Sequence, residues 1–181
     1  MMRQTASPLL NNTLIHIGFM PDAAEINRQI MDGYLQLRVQ DLTRRSHFFG
    51  GRYENLYLER GRIPAIAKVL EQAEGYANKL QKKPLQKLRS GFWINDMGPG
   101  EVTTEHNHDD YDEVISGVYY VQVPQDSGEL VIMDKYSRTL LTPQAGMFVF
   151  FAPDVLHSVN ANRSGERRIS MGMNFGSISD Q

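Results

Sequence analysis

The sequence predicts a mainly β chain, a sandwich or jelly roll of short strands with helices on its N-terminal side. Two observations lead there. Apolar residues recur at helical spacing up to about residue 90 and at a spacing of two beyond it. The second half is also cut by turn signals, "GPG", "PQDSG", "TPQAG", "APD" and "NRSG". Many short alternating runs closed by Gly/Pro turns characterise rolled or stacked antiparallel sheets. The 181 residues suit one domain, with 1–90 as a helical N-terminal elaboration and 91–176 as the β core.

The elements follow in order. "PDAAEINRQIMDGYLQLRVQ" opens with Pro21 and acids in its first turn, and Ile26, Ile30, Met31, Tyr34, Leu35 and Leu37 mark one helical face. "IPAIAKVLEQAEGYANKLQK" repeats the pattern through Ile66, Val69, Leu70, Ala73, Ala77 and Leu80. Between them, "RRSHFFGGRYENLYLERGR" carries two central glycines and many aromatics, and reads as a loop ending in a short strand. After residue 90, "GFWINDM", "SGVYYVQV", "ELVIMD", "GMFVFFA", "HSVNAN" and "RRISMGMNFG" are strands. With stretches near 101–106 and 138–142 they make about eight strands. The two helices are expected to pack on the outer face of one sheet and leave the mouth of the roll open.

Bulk composition narrows the function classes. Nineteen Lys and Arg against 21 Asp and Glu give a net charge of −2, which favours neither nucleic acid nor an anionic membrane surface. The chain has no cysteine, so it has no disulfide, thiolate metal site or cysteine nucleophile, and a reducing, cytoplasmic setting is expected. "MMRQTASPLLNNTLIHIGF" lacks a secretory apolar run. No segment approaches the ~20 apolar residues of a membrane helix.

"EHNHDDYD", residues 105–112, concentrates two of the five histidines among four carboxylates. His106 and His108 are spaced i, i+2, and so are His108 and Asp110; alternate residues of a strand point the same way, so either pair could hold one ion. The distal ligand is His157 in "FFAPDVLHSV", on a different run of the β domain. Three such side chains leave open positions on an octahedral metal, the facial arrangement of non-haem Fe(II) oxygenases. Both ligand sets, His106/His108/His157 and His108/Asp110/His157, stay open. Taken singly, the acid-rich loop could be a solvated surface and His157 a hydrogen-bonded core histidine. It is their combination that favours a metal.

Arg168 lies in "RRISMGMNF", among apolar and small residues where an unpaired arginine is costly. Its planar fork suits a carboxylate held bidentately. Ser170, two residues on, and Tyr120, in "SGVYYVQV", can add hydroxyl donors. Together they outline a pocket for a dicarboxylate, with one end on the metal and the other on Arg168. Arg167 reads as an exposed edge residue. His16 and His47 share no motif with another ligand type and read as structural or surface residues. Residues 44–57 could hold an anionic or planar substrate beside the mouth, although an ordinary packing loop explains them as well.

The motifs "FWINDM", "EHNH", "SGVYYVQVP", "SGEL" and "GMFVFFAPDVLHSVNANRSGERRISMGMNF", in that order, resemble the 2-oxoglutarate–Fe(II) oxygenases, a double-stranded β-helix superfamily. The resemblance spans about residues 91–176. It implies that His106 and His108 form the H-x-H pair, that His157 is the distal ligand, and that Arg168 and Ser170 hold the far carboxylate of 2-oxoglutarate. It places Tyr120 on that carboxylate, and Asn95 with Trp93 on the W-x-N strand lining the pocket. In this sequence "DDYDEVI" replaces a shorter, proline-led link, which keeps Asp110 open as the alternative to His106. By this resemblance the chain is a dioxygenase using Fe(II) and the cosubstrate 2-oxoglutarate. It would hydroxylate a small-molecule or peptide substrate with release of succinate and CO2, with no catalytic residue beyond the metal ligands. Pairing is common among such enzymes, which leaves a homodimer open. The rival readings are a cupin-like dioxygenase that uses three histidines without 2-oxoglutarate, and a non-catalytic metal- or ligand-binding jelly-roll module.

Overall fold

A computed structural model describes residues 15–81, 88–108, 112–134 and 137–177. Two antiparallel sheets face each other. The larger is built from β1 (His16–Phe19), β2 (Leu42–Phe49), β3 (Arg52–Leu58), β4 (Leu88–Met97), β6 (Glu113–Gln122), β9 (Met147–Phe151) and β11 (Arg168–Ser177), in the order β1-β9-β6-β11-β4-β3-β2. The smaller has β5 (Thr103–His106), β7 (Leu130–Met133), β8 (Arg138–Leu141) and β10 (Leu156–Val159), in the order β5-β10-β7-β8. From β4 onward the chain passes back and forth between the sheets, with only the β7–β8 hairpin staying in the smaller one, which is how a jelly roll closes on itself. The eight strands after residue 90 match the sequence reading.

The helices are α1 (Ala23–Tyr34) and α2 (Ala65–Leu80). α1 buries Ile26 and Ile30, and α2 buries Ile66, Val69, Leu70, Ala73 and Ala77. These are the positions the 3–4 spacing marked. α1 is shorter than its pattern: it ends at Tyr34, and Leu35 beyond it is exposed. Both helices pack against the larger sheet, α1 on β6 and α2 on β4. Between helices and sheet lies an aromatic layer of Tyr76, Tyr119, Phe148 and Phe150.

One segment departs from expectation. Residues 42–58 are a hairpin of β2 and β3, paired from Leu42↔Leu58 to Phe49↔Arg52, where a loop with one short strand was expected. Gly50 and Gly51, both at positive φ, make its turn. β2 ends the larger sheet and is solvated along most of its length, so it carries no alternating apolar signal. The first ninety residues therefore supply three strands to the larger sheet as well as the two helices.

Candidate metal centre

The antiparallel pairing of β10 with β5 sets His157 directly opposite His106. His108 lies just past the end of β5, and its backbone N–H donates to the Pro153 carbonyl at 2.8 Å. The Pro153–Asp154 turn that starts β10 thus also fixes the segment carrying His108. The result is one cluster: ring centroids are 4.3 Å apart for His106 and His157, 5.1 Å for His106 and His108, and 5.2 Å for His108 and His157. One ligand nitrogen from each lies within 4.8 Å of the other two, close enough to share an ion. Asp110, the alternative third ligand, lies outside the described residues.

The donor chemistry of the cluster fits a metal. The Nδ1 of His106 is 2.8 Å from the Thr104 carbonyl and that of His157 is 2.9 Å from the Val155 carbonyl. A carbonyl only accepts, so both Nδ1 atoms carry hydrogen and both Nε2 lone pairs are free for an ion. This is the outer bonding that orients ligand imidazoles. Burial pulls the His157 imidazole down to about 3 and the His108 imidazole to about 4, with neighbouring histidines adding to the shift. Both rings are therefore neutral at pH 7, the form a metal requires.

Opposite the cluster, β11 sits between β4 and β6 and brings the remaining motif residues into one row. Ser170 is paired with Asn95 on β4 and with Tyr120 on β6. Arg168, two residues earlier on the same face, is only 3% exposed. Its Nη1 donates to the carbonyls of Gly128 at 2.7 Å and Ser127 at 3.4 Å, and its Cζ lies 5.0 Å from the Tyr120 ring centre. Among the described residues no carboxylate pairs with it. The Ser127 hydroxyl is buried without a partner, and the buried Tyr120 hydroxyl faces Arg168. Burial pushes the Tyr120 hydroxyl up, so it stays a neutral donor. Among the described residues only the more distant Glu129 carboxylate offsets this buried guanidinium, and such a group, beside a partnerless Ser127 hydroxyl, is costly unless a ligand supplies acceptors. A carboxylate does so.

Gly128 makes this cradle possible. Its φ of +93° turns its carbonyl to Arg168, and a Cβ there would lie 2.1 Å from the Asn160 carbonyl oxygen. Gly172 has a comparable role two residues along the row: the Trp93 indole crosses so close that a Cβ would fall 2.3 Å from Cε2. That crossing places the Trp93 ring 5.5 Å from the His108 ring.

The three histidines, Arg168, Ser170, Tyr120 and Asn95 all line one open pocket. Asn95 uses its amide differently from a simple ligand contact. Its Nδ2 donates to the Glu54 carbonyl at 2.8 Å and to Asn55 Oδ1 at 2.9 Å, so only its Oδ1 faces a ligand, as an acceptor. His47 and Asn55 reach the pocket from the hairpin; the sequence reading set 44–57 beside the mouth as an open alternative but marked neither residue, because they meet the other site residues only across strands.

Comparison with known proteins agrees with this geometry. Residues 91–142 match the family model described as "Putative 2OG-Fe(II) oxygenase". That segment holds His106, His108, Asn95 and Tyr120; His157, Arg168 and Ser170 lie beyond it and join them through the fold. No curated protein matches the chain in sequence. A prolyl-4-hydroxylase from Pseudomonas putida superposes with a TM-score of 0.69 at 16% identity, covering 92% of this chain and 89% of its own. A prolyl hydroxylase from Trichoplax adhaerens, solved with a hypoxia inducible factor peptide, gives 0.67 at 13% identity over 95% and 90%. SnoN, a non-heme alpha-ketoglutarate-dependent epimerase from nogalamycin biosynthesis, gives 0.71 at 14% identity over 91% and 78%. The family match covers less than a third of the chain, and the solved structures, at 13–16% identity, share with it the double-stranded β-helix fold.

Proposed function

We propose that the chain is a 2-oxoglutarate- and Fe(II)-dependent dioxygenase that hydroxylates a small-molecule or peptide substrate and releases succinate and CO2. The observation that carries this reading is the pairing, across one pocket, of a three-histidine cluster with a buried arginine that has no carboxylate in ion-pair contact among the described residues. His106, His108 and His157 would hold the metal through Nε2 of the first and last and one ring nitrogen of His108. Bound there, Fe(II) with 2-oxoglutarate supplies the oxidising chemistry, with O2 as oxidant, needed to attack an unreactive C–H bond.

The rest of the work belongs to this chain's own residues. Arg168 receives the distal carboxylate, and Tyr120 and Ser170 donate hydroxyl hydrogens to it. Neutralising a buried charge on each partner makes the association strong and fixes its direction. Trp93, pinned over Gly172, walls the pocket beside His108 and limits the ways in which water and substrate reach the metal. The β2–β3 hairpin borders the pocket and carries exposed Phe48, Phe49 and Tyr53, a surface on which a substrate can rest.

The test is anaerobic addition of Fe(II) and 2-oxoglutarate, read as the visible charge-transfer band of the chelate, followed by admission of O2 and assay of succinate. A second reading has one observation in its favour: the described ligands are three histidines with no carboxylate, a set that a cupin-like dioxygenase uses without 2-oxoglutarate. Absence of the band and of succinate, with the metal bound, would favour that second reading.

A further inference from the structure

His47 holds an unusual position. Its neighbours pair regularly across the hairpin, Ser46 with Asn55 and Phe48 with Tyr53, yet His47 itself has φ +56°. Strand alternation would send residue 47 to the face opposite residue 46. The left-handed backbone cancels that alternation, and the His47 ring lies on the face of Ser46 and Asn55, at the pocket. A non-glycine residue held in such a conformation inside a strand persists only where the surroundings enforce it, and such residues cluster at functional sites.

A chain of hydrogen bonds fixes which of the ring nitrogens carries hydrogen. The chain starts at the Glu54 backbone carbonyl, which can only accept. It therefore faces the amide nitrogen of Asn95, at 2.8 Å. The second hydrogen of that nitrogen goes to Asn55 Oδ1 at 2.9 Å. Asn55 must then present its own Nδ2 to His47 Nδ1, at 3.0 Å. The Ser46 hydroxyl reaches the same Nδ1 at 2.9 Å. With an amide N–H aimed at it, Nδ1 is an acceptor, so the hydrogen of the neutral ring sits on Nε2.

We infer that His47 is a substrate-orienting residue whose Nε2–H, locked in place by the Asn95–Asn55 relay, donates to a carbonyl or carboxylate oxygen on the primary substrate at the pocket rim. The assignment gives Asn95 and Asn55 a purpose that cofactor binding does not. The first carries both of its amide hydrogens away from the pocket, and the second is buried in the hairpin. It also selects substrates: a molecule offering an oxygen acceptor beside the C–H bond to be attacked is held, and one offering only a donor or a hydrocarbon edge is not. This inference rests on the oxygenase reading for its location beside the metal, but its central geometric claim can be measured without turnover.

Two-bond 1H–15N correlation spectra of the full chain, labelled at histidine and loaded with Zn(II) in place of Fe(II), report the tautomer of each imidazole. His47→Gln identifies the His47 signals by their loss. The expected result is an Nε2–H tautomer for His47 in the unaltered protein. Asn55→Asp replaces the N–H facing Nδ1 with an acceptor and should move the hydrogen onto Nδ1. Benzoate and benzamide are then titrated with 2-oxoglutarate present, so that the Arg168 site is filled. A downfield shift of the His47 Nε2–H signal with benzoate alone identifies a carboxylate as the partner, and a shift with both shows that a neutral carbonyl suffices. A His47 Nδ1–H tautomer in the unaltered protein, or no shift with either probe, overturns the inference. Binding of 2-oxoglutarate is read on the same sample, so failure of the oxygenase reading shows as a loss of that binding while the tautomer result stands separately.

Discussion

Replacing Arg168 by methionine separates the role of the pocket from the stability of the fold. The guanidinium is almost wholly buried, so a carboxylate that meets it forms a desolvated pair. Removing one member of such a pair costs about 2–5 kcal/mol. At about 1.4 kcal/mol per tenfold, 2-oxoglutarate affinity should fall from about 30-fold to a few thousand-fold. Unfolding should behave otherwise. The substitution loses the two bonds to Ser127 and Gly128 carbonyls, at about 1 kcal/mol each. It also removes a buried charge whose desolvation costs several kcal/mol, partly offset by the Glu129 carboxylate. These contributions offset one another, so the urea midpoint of the ligand-free protein should move little. Isothermal titration of 2-oxoglutarate into anaerobic metal-loaded protein measures the first quantity, metal content after dialysis measures the second site, and urea unfolding gives the third. If the affinity for 2-oxoglutarate fell less than about tenfold, or if metal content fell in step with it, the assignment of Arg168 to the distal carboxylate would be wrong.

The other predictions concern the metal and the walls of the pocket. His157→Ala should leave dialysed protein with little Fe(II), measured by metal analysis, since His106 and His108 alone do not enclose an ion; full retention would point to a ligand set without His157. The chain has a single tryptophan, and its ring lies 5.5 Å from that of His108, so Fe(II) binding should quench intrinsic fluorescence in proportion to occupancy. An unchanged emission on saturation would contradict the placement of Trp93. Gly172→Ala forces a methyl into the indole and should destabilise by about 1–3 kcal/mol in urea, with a shifted Trp93 emission maximum. Gly128→Ala should lower 2-oxoglutarate affinity while sparing metal content, because it displaces the carbonyl that steadies Arg168 and touches none of the histidines.

What could be read from the sequence divides along a physical line. His157, Arg168, Ser170 and Tyr120 sit in apolar strands whose faces could be inferred, His106 and His108 were marked by their i, i+2 spacing, and the structure brings all six to one pocket. The two helices were visible because each buries one stripe against a sheet. The β2–β3 hairpin was not. "LTRRSHFF" is solvated on both faces at the end of the larger sheet, so neither alternation nor a continuous apolar run announces it. His47 was dismissed for a related reason. Its significance depends on Asn55 across the hairpin and Asn95 on the next strand, and on a backbone angle that composition does not encode. Asn95 lines the pocket, but the direction of its amide could be known only once Glu54 was seen beside it.

The short strand β5 stands at the margin of the smaller sheet, where β10 is its neighbour. It is four residues long and carries His106 at its end, facing His157 on β10. An ion gripped by both would act as a clasp between a weakly tethered ribbon and the body of the roll. Its departure would free that ribbon to peel back at small cost. Hydrogen exchange at Thr103–His106 should therefore slow as iron is supplied.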